Sequence, residues 1–191
     1  MPHQTASYLG MPHDEELCKT DIQALMDLKL IRPSKSHWAS PSFYVNKHSE
    51  QIRGKKRLVI DYRKLNDCLQ GIRYPIPRSI HLLKRIAGAK VFSKFDMKSG
   101  FWQIRIKEDD RHKTPFVVLH EHYEWNVMSF GLKNALSEFQ NRMDEMYKFI
   151  SRFCLIYLDD SLIFSNNKEE HTEHLYEFKA LTYKYGLALS E

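Results

Sequence analysis

The sequence predicts an α+β domain with helices packed on an antiparallel sheet. Three observations carry this: an amphipathic helix near the start, several short β-type runs through the middle, and an apolar hairpin followed by a last helix. With 191 residues, 42% of them hydrophobic, the chain can bury one good core but is short for two ordinary domains. One compact unit with two lobes is expected, with no repeat or low-complexity tract.

Residues 1–13 hold Pro2, Gly10 and Pro12 with little periodicity and read as a flexible lead-in, so the folded part is expected to be 14–191. Asp14, Glu15 and Glu16 put negative charge where a helix N-terminus favours it, and Leu17, Ile22, Leu25, Met26 and Leu30 supply an apolar face until Pro33 stops the helix. Residues 42–46 and 57–61 read as a hairpin with a basic tip over 51–56. Tyr74-Pro75-Ile76-Pro77 must be extended, because each proline disfavours the α region for its predecessor. A helix is predicted from 78 or 79 to 87.

A strand over 91–95 ends at Asp96, and the small, polar turn Lys98-Ser99-Gly100 leads to an alternating strand over 101–106. Strands follow at 114–119 and 122–127. Past Gly131, the helical spacing of Leu136, Phe139, Met143, Met146 and Tyr147 predicts a helix over 134–150. A hairpin of strands 153–157 and 161–165 turns through Leu158-Asp159-Asp160, and a helix over 168–185 ends at Gly186, a left-handed stop.

Several classes are disfavoured. The longest apolar runs are strand-length, far below the ~20 residues that span a bilayer, so no membrane partner is expected. The N-terminus shows no secretory pattern, which favours an intracellular protein, cytoplasmic or nuclear. Cys18, Cys68 and Cys154 are odd in number and scattered, against a disulfide framework or a paired-cysteine zinc module. The net charge of +5 leans modestly toward a polyanionic partner.

Two aspartates at the tip of a hairpin with apolar strands are costly, since each carboxylate resists leaving water and the pair repel. A divalent cation offsets that cost, and Mg²⁺ favours carboxylate and phosphate oxygens. Asp96 also stands where an apolar strand ends, and a shared antiparallel sheet would bring it beside Asp159 and Asp160. Three such acids can hold two ions ~3.5–4 Å apart, the arrangement that drives in-line phosphoryl displacement. A bare Asp-Asp pair is otherwise a solvated turn, and Asp96 a helix N-cap.

The residues around these acids decide between the two. Tyr157-Leu158-Asp159-Asp160, followed by Ser161-Leu162-Ile163-Phe164-Ser165, resembles the Tyr-x-Asp-Asp box of reverse transcriptases, most closely those of plant pararetroviruses and Ty3/gypsy-type LTR retrotransposons. Leu58 to Asn66, Phe92 to Gln103 and His122 to Val127 resemble further motifs of that family in its order and spacing. The resemblance implies a polymerase fingers-and-palm fold without its thumb, with fingers about 14–78 and part of 102–133, and palm about 79–101 and 134–191. It implies an RNA-directed DNA polymerase using two Mg²⁺ ions, with Mn²⁺ as a substitute. The expected partners are deoxynucleoside triphosphates, an RNA or DNA template with primer, and the thumb and RNase H portions of a parent polyprotein.

By the same resemblance, Asp96 and Asp159 are the principal metal ligands, and Asp160 is the third acid with a less direct role. Phe101 is the steric gate against a ribose 2′-hydroxyl, the alternative being a core phenylalanine on an alternating strand. Lys47 and Arg57 hold the triphosphate, an arginine doing so bidentately; Phe130 and Gly131 pack against nucleotide and template base. Arg53, Lys55, Lys56 and Arg57 together can grip the template backbone. His171 and His174, one helical turn apart, read as a solvated helix face, the alternative being a metal-binding pair; His120 and His122 read as sharing a strand face, and Trp102 and Trp125 as core.

Two departures stand out. The family has proline where this chain has Ser129 and Leu136, which bears on the nucleotide pocket. The sequence ends where the family continues, so the rival expectation is a retroelement remnant that binds nucleic acid or only folds. Primer placement is demanding, since misplacement by about 1 Å can cost 10²-fold.

Overall fold

The structure is a computed structural model that describes residues 12–46, 56–72, 74, 84–118 and 120–190. The chain divides into two compact units: Met1–Gln70 with Ile104–Lys133, and Gly71–Gln103 with Asn134–Glu191. Among the described residues no helix is long and apolar enough to cross a membrane, and the three cysteines are free thiols.

The first unit is built on a five-stranded sheet of order β1-β6-β5-β2-β3, with β1 Ile31–Pro33, β2 Ser40–Asn46, β3 Lys56–Ile60, β5 Phe116–Val118 and β6 Glu121–Trp125. The expected β2–β3 hairpin forms, with Ser42 opposite Ile60 and Asn46 opposite Lys56. Its tip, carrying Lys47, Arg53 and Lys55, lies outside the described residues. The sheet is not wholly antiparallel, because β2 runs parallel to β5.

Helix α1, Pro12–Asp27, begins within the expected lead-in and stops six residues before Pro33. Lys29 turns left-handed at φ 57° and Leu30 N–H bonds back to the Leu25 carbonyl at 3.0 Å, a Schellman-type end. The reversal delivers Ile31, 2% exposed, opposite Trp125 in the sheet, and that burial outweighs another helical turn. Cys18 and Ile22 of α1 join Tyr62, Phe116, Val118 and Trp125 in the core. Buried Glu124 is held by Arg32 at 2.7 Å and Ser34 at 2.6 Å, which offsets the cost of desolvating it. His120, expected on a strand face with His122, occupies the β5–β6 turn at φ 68°.

The second unit holds a three-stranded antiparallel sheet of order β4-β8-β7, with β4 Val91–Asp96, β7 Cys154–Tyr157 and β8 Asp160–Ser165. Beside α2, Arg63–Cys68, and the short α3, Glu108–Arg111, in the first unit, the second contributes α4, Ala135–Met146, and α5, Lys168–Lys184. Of the predicted helix over 78–87 only 84–87 are described, helical at 84–86, and of the stretch Tyr74–Pro77 only Tyr74 is described.

Helix α5 starts at Asn167, whose side chain accepts from Glu170 N–H, and ends at Gly186 in the left-handed region. It covers one face of β4, where Phe95 stacks on Phe178 at 5.1 Å. Here His171 departs from its expected solvated position: it is buried, with Nε2 hydrogen-bonded to Ser93 Oγ and Nδ1 to Ser165 Oγ, each at 2.8 Å. His174 also bonds Ser165 Oγ and stacks on Phe153 at 3.7 Å.

The alternating run 101–106 does not form a strand. Gly100–Gln103 is a 3-10 turn following Ser99 at φ 49°, and only Arg105 pairs, as an isolated bridge with Val127. Gln103 spends its amide on the Lys98 and Ala188 carbonyls, at 2.7 and 2.9 Å, instead of extending the chain. Trp102 is consequently only half-buried, whereas Trp125 is core.

Candidate active site

The acidic site grows out of strand alternation. Along β4, Val91, Ser93 and Phe95 are the more covered residues while Phe92, Lys94 and Asp96 are exposed. In the antiparallel register Asp96 stands directly opposite Asp160, so these carboxylates share one face, as cross-strand partners do. Lys94, two residues back on the same face, pairs with Asp160 at 2.9 Å. Asp96 Oδ2 accepts from the Ser190 hydroxyl at 3.0 Å.

Asp159 is treated differently. With Tyr157 opposite Asp160, the β7–β8 connection is the two-residue loop Leu158-Asp159, and Leu158 takes φ 55° where glycine is the usual occupant. The Met97 amide donates to the Asp159 carbonyl at 2.8 Å, which fastens this loop to the end of β4. The Asp159 carboxyl is raised above its ordinary range by burial first, then by the negative charges of Asp96 and Asp160. Its Oδ1 is buried with no hydrogen-bond partner.

Gly100 makes room for that oxygen. A Cβ on Gly100 would overlap Asp159 Oδ1 and come within 2.9 Å of the Phe139 ring. Phe101, beside it, is 8% exposed and lies 5.0 Å from the Phe139 ring.

The expected acids therefore share one strand end. Among the described residues, no three His, Cys, Asp or Glu side chains are arranged to hold a metal ion. An orphaned carboxylate oxygen beside two further acids nevertheless suits a hard divalent cation, which commonly takes one or two carboxylates and completes its shell with water and phosphate.

In the first unit, Arg57 lies over the Phe130 ring at 5.2 Å, and both line a cavity of about 320 Å³ with Ile60, Trp125, Ser129 and Gly131. Gly131 requires its φ of 88°. The loop carrying it is pinned by Asn66, which donates to the Gly131 carbonyl at 2.8 Å and accepts from Lys133 N–H at 2.7 Å. Lys47 lies outside the described residues. Gly100, Asn66 and Lys94 fall inside the family-like segments but were given no role in the site, and the buried Gln140 was not singled out, although a polar side chain on an apolar helix stripe marks it.

Residues 45–191 match the family model described as reverse transcriptase (RNA-dependent DNA polymerase). The chain is 44% identical over 180 residues to the enzymatic polyprotein of Cauliflower mosaic virus (strain Strasbourg), covering 94% of this chain and 26% of that protein. It is 46% identical over 186 residues to the genome polyprotein of Petunia vein clearing virus (isolate Hohn), covering 97% and 8%. The chain thus spans about a quarter or less of these relatives. The fold matches foamy viral protease-reverse transcriptase in complex with an RNA/DNA hybrid, at TM-score 0.87 and 22% identity over 99% of this chain and 25% of that one. It also matches the foamy viral dRH form in complex with double-stranded DNA, at TM-score 0.86 and 23% identity over 100% and 33%. The expected likeness to pararetroviral polymerases is borne out, and the chain belongs to the reverse transcriptase (RNA-dependent DNA polymerase) family.

Proposed function

We propose that this chain carries the catalytic acids of an RNA-directed DNA polymerase, adding deoxynucleotides to a primer on an RNA or DNA template. The observation that carries it is the pairing of Asp96 with Asp160 beside Asp159, whose buried Oδ1 has no protein partner.

In this reading Asp96 and Asp159 hold Mg²⁺, with Mn²⁺ as a substitute, and Asp160, engaged by Lys94, shapes the field around them. Two bound ions would activate the attacking primer oxygen and stabilise the leaving pyrophosphate oxygen. The chain's own residues set the conditions for this. Gly100 leaves space for the Asp159 carboxylate, and the surrounding burial keeps that carboxylate short of hydrogen bonds until a cation arrives. Phe101, backed by Phe139, is the proposed gate: a ring beneath the sugar excludes a 2′-hydroxyl by overlap.

In the first unit, Lys47 and Arg57 are the proposed triphosphate cations, and Phe130 and Gly131 the surface that packs on the nucleotide. Stacking of Arg57 on Phe130 supports this, since it pre-orients the guanidinium. The nucleic-acid complexes of the foamy viral relatives support a duplex partner. Lys56 and Arg57, with Arg53 and Lys55, are the proposed backbone contacts, sequence-independent and weakened by salt.

Primer extension on a homopolymer template tests the reading. Asp96→Asn and Asp159→Asn should each lower incorporation by at least about 10²-fold, the scale of losing one electrostatic stabiliser of a transition state. Phe101→Ala should admit ribonucleotides. Incorporation that survives both aspartate changes would dismiss the site.

A further inference from the structure

The turn that carries Asp159 is strained, and the structure shows what restrains it. Leu158 sits in the left-handed region at φ 55°, where its Cβ crowds the backbone. The backbone on this side of the turn is gripped at two points by one side chain. Gln140, on α4 and 0% exposed, accepts from the Leu158 amide at 2.8 Å through Oε1 and donates to the Ile156 carbonyl at 3.0 Å through Nε2.

A glutamine amide can flip, and a flipped Gln140 would set donor against donor at Leu158 and acceptor against acceptor at Ile156. Asp144, one helical turn on, removes that freedom. Its Oδ1 accepts from Gln140 Nε2 at 2.9 Å, so only the nitrogen end of the amide can face it and the Ile156 carbonyl. Asp144 Oδ2 in turn accepts from the Tyr74 hydroxyl at 2.7 Å. That bond, more than burial, pushes the Tyr74 phenol up to about 12, so it stays a proton donor throughout the working range.

We infer that Asp144, anchored by Tyr74, is a positioning residue: it fixes the orientation of the Gln140 amide, which holds the strained Leu158-Asp159 turn in the geometry that receives a cation. Asp144 acts only through Gln140. The chain of contacts runs Tyr74 to Asp144 to Gln140 to the backbone at 156 and 158. The inference rests on the polymerase reading for its use, but not for its geometry.

The test uses the whole chain, amide hydrogen exchange at Leu158 and Mn²⁺ titration. Asp144→Leu and Gln140→Met keep bulk but remove the brace; each should speed Leu158 exchange and weaken Mn²⁺ binding by at least tenfold, with the overall fold retained by circular dichroism. Gln140→Glu should be equally damaging, because a second carboxylate faces Asp144. Adding Asp144→Asn to it should recover part of the Mn²⁺ affinity, since the new amide donates to the carboxylate introduced at position 140, while the Ile156 carbonyl still faces an acceptor in place of the Gln140 amide donor. A role in helix packing alone predicts no such rescue. Native exchange and native Mn²⁺ affinity in Asp144→Leu, or no rescue in the double variant, would overturn the inference. A wild-type chain that takes up no Mn²⁺ would instead overturn the polymerase reading, and with it the positioning role, while Leu158 exchange still reports on the brace.

Discussion

The two ends of the sheet in the second unit handle buried polarity in opposite ways. Toward one end, Ser93, His171, Ser165 and His174 form a continuous hydrogen-bonded chain beneath α5. At the other, Asp159 Oδ1 and Ser161 Oγ are buried without partners. Buried polar groups in folded proteins are overwhelmingly paired, because an unpaired one costs about 1–3 kcal/mol. The same three strands thus follow that rule where they only hold the fold together and break it where a ligand is proposed to bind.

The contrast can be broken most severely at Gly100. Gly100→Ala puts a methyl where Asp159 Oδ1 lies, so the carboxylate or the turn must shift. Primer extension should fall by about 10²-fold, the cost of misplacement on the order of 1 Å, with a modest loss of stability. Activity equal to wild type would show that the acid tolerates displacement.

At the satisfied end, His171→Leu leaves the Ser93 hydroxyl without its ring partner and Ser165 with His174 alone. Stability should fall by about 2–3 kcal/mol, read as a drop in Tm of roughly 5–10 °C, with Mn²⁺ affinity unchanged. A loss of Mn²⁺ affinity without a drop in Tm would erase the distinction between the ends.

Asp159→Asn should have the opposite sign when no divalent ion is present. A carboxyl whose folded pKa exceeds its unfolded value binds protons more readily when folded, so its burial penalty is absent below the ordinary value of 3.8 and grows as pH rises through the folded value. Wild type should therefore lose stability across that window, and the asparagine variant should lack that loss. Near neutral pH the variant should be the more stable of the two, read as a higher Tm. Added Mg²⁺ should reverse the order by raising only the wild-type Tm. The smallest effect is expected at Ser161: replacing its unpartnered hydroxyl by Ser161→Ala should raise stability by less than about 1 kcal/mol in thermal unfolding.

The acids were legible in sequence because a run of apolar strand residues ending in aspartate is a local signal, and antiparallel pairing supplied the rest. The β7–β8 hairpin and the Gly186 stop were legible for similar reasons. What failed was set by distant contacts. Gly100 reads locally as a turn glycine, yet its need for no Cβ comes from Asp159, far along the chain. Glu170, Thr172 and Glu173 make the neighbourhood of His171 look solvated, although His171, Phe178 and Thr182 share the buried stripe of α5. The alternation over 101–106 looked like a strand, but the Ser99 turn and the Gln103 side chain commit the backbone elsewhere. Helix α1 ended early because Ile31 had a place in a sheet whose partner strand lies nearly a hundred residues on.

The segment after Gly186 has a practical bearing on how this protein is cut for experiment. Leu189 bridges to Met97, Lys98 N–H donates to the Ala188 carbonyl at 3.0 Å, and Ser190 reaches Asp96 through both backbone and hydroxyl. A deletion drawn at the end of the last helix would look harmless on a diagram of secondary structure. It would also strip a bridging backbone segment and a hydroxyl donor from the first acid, so an inactive trimmed version would report on its own boundary before it reported on the chemistry.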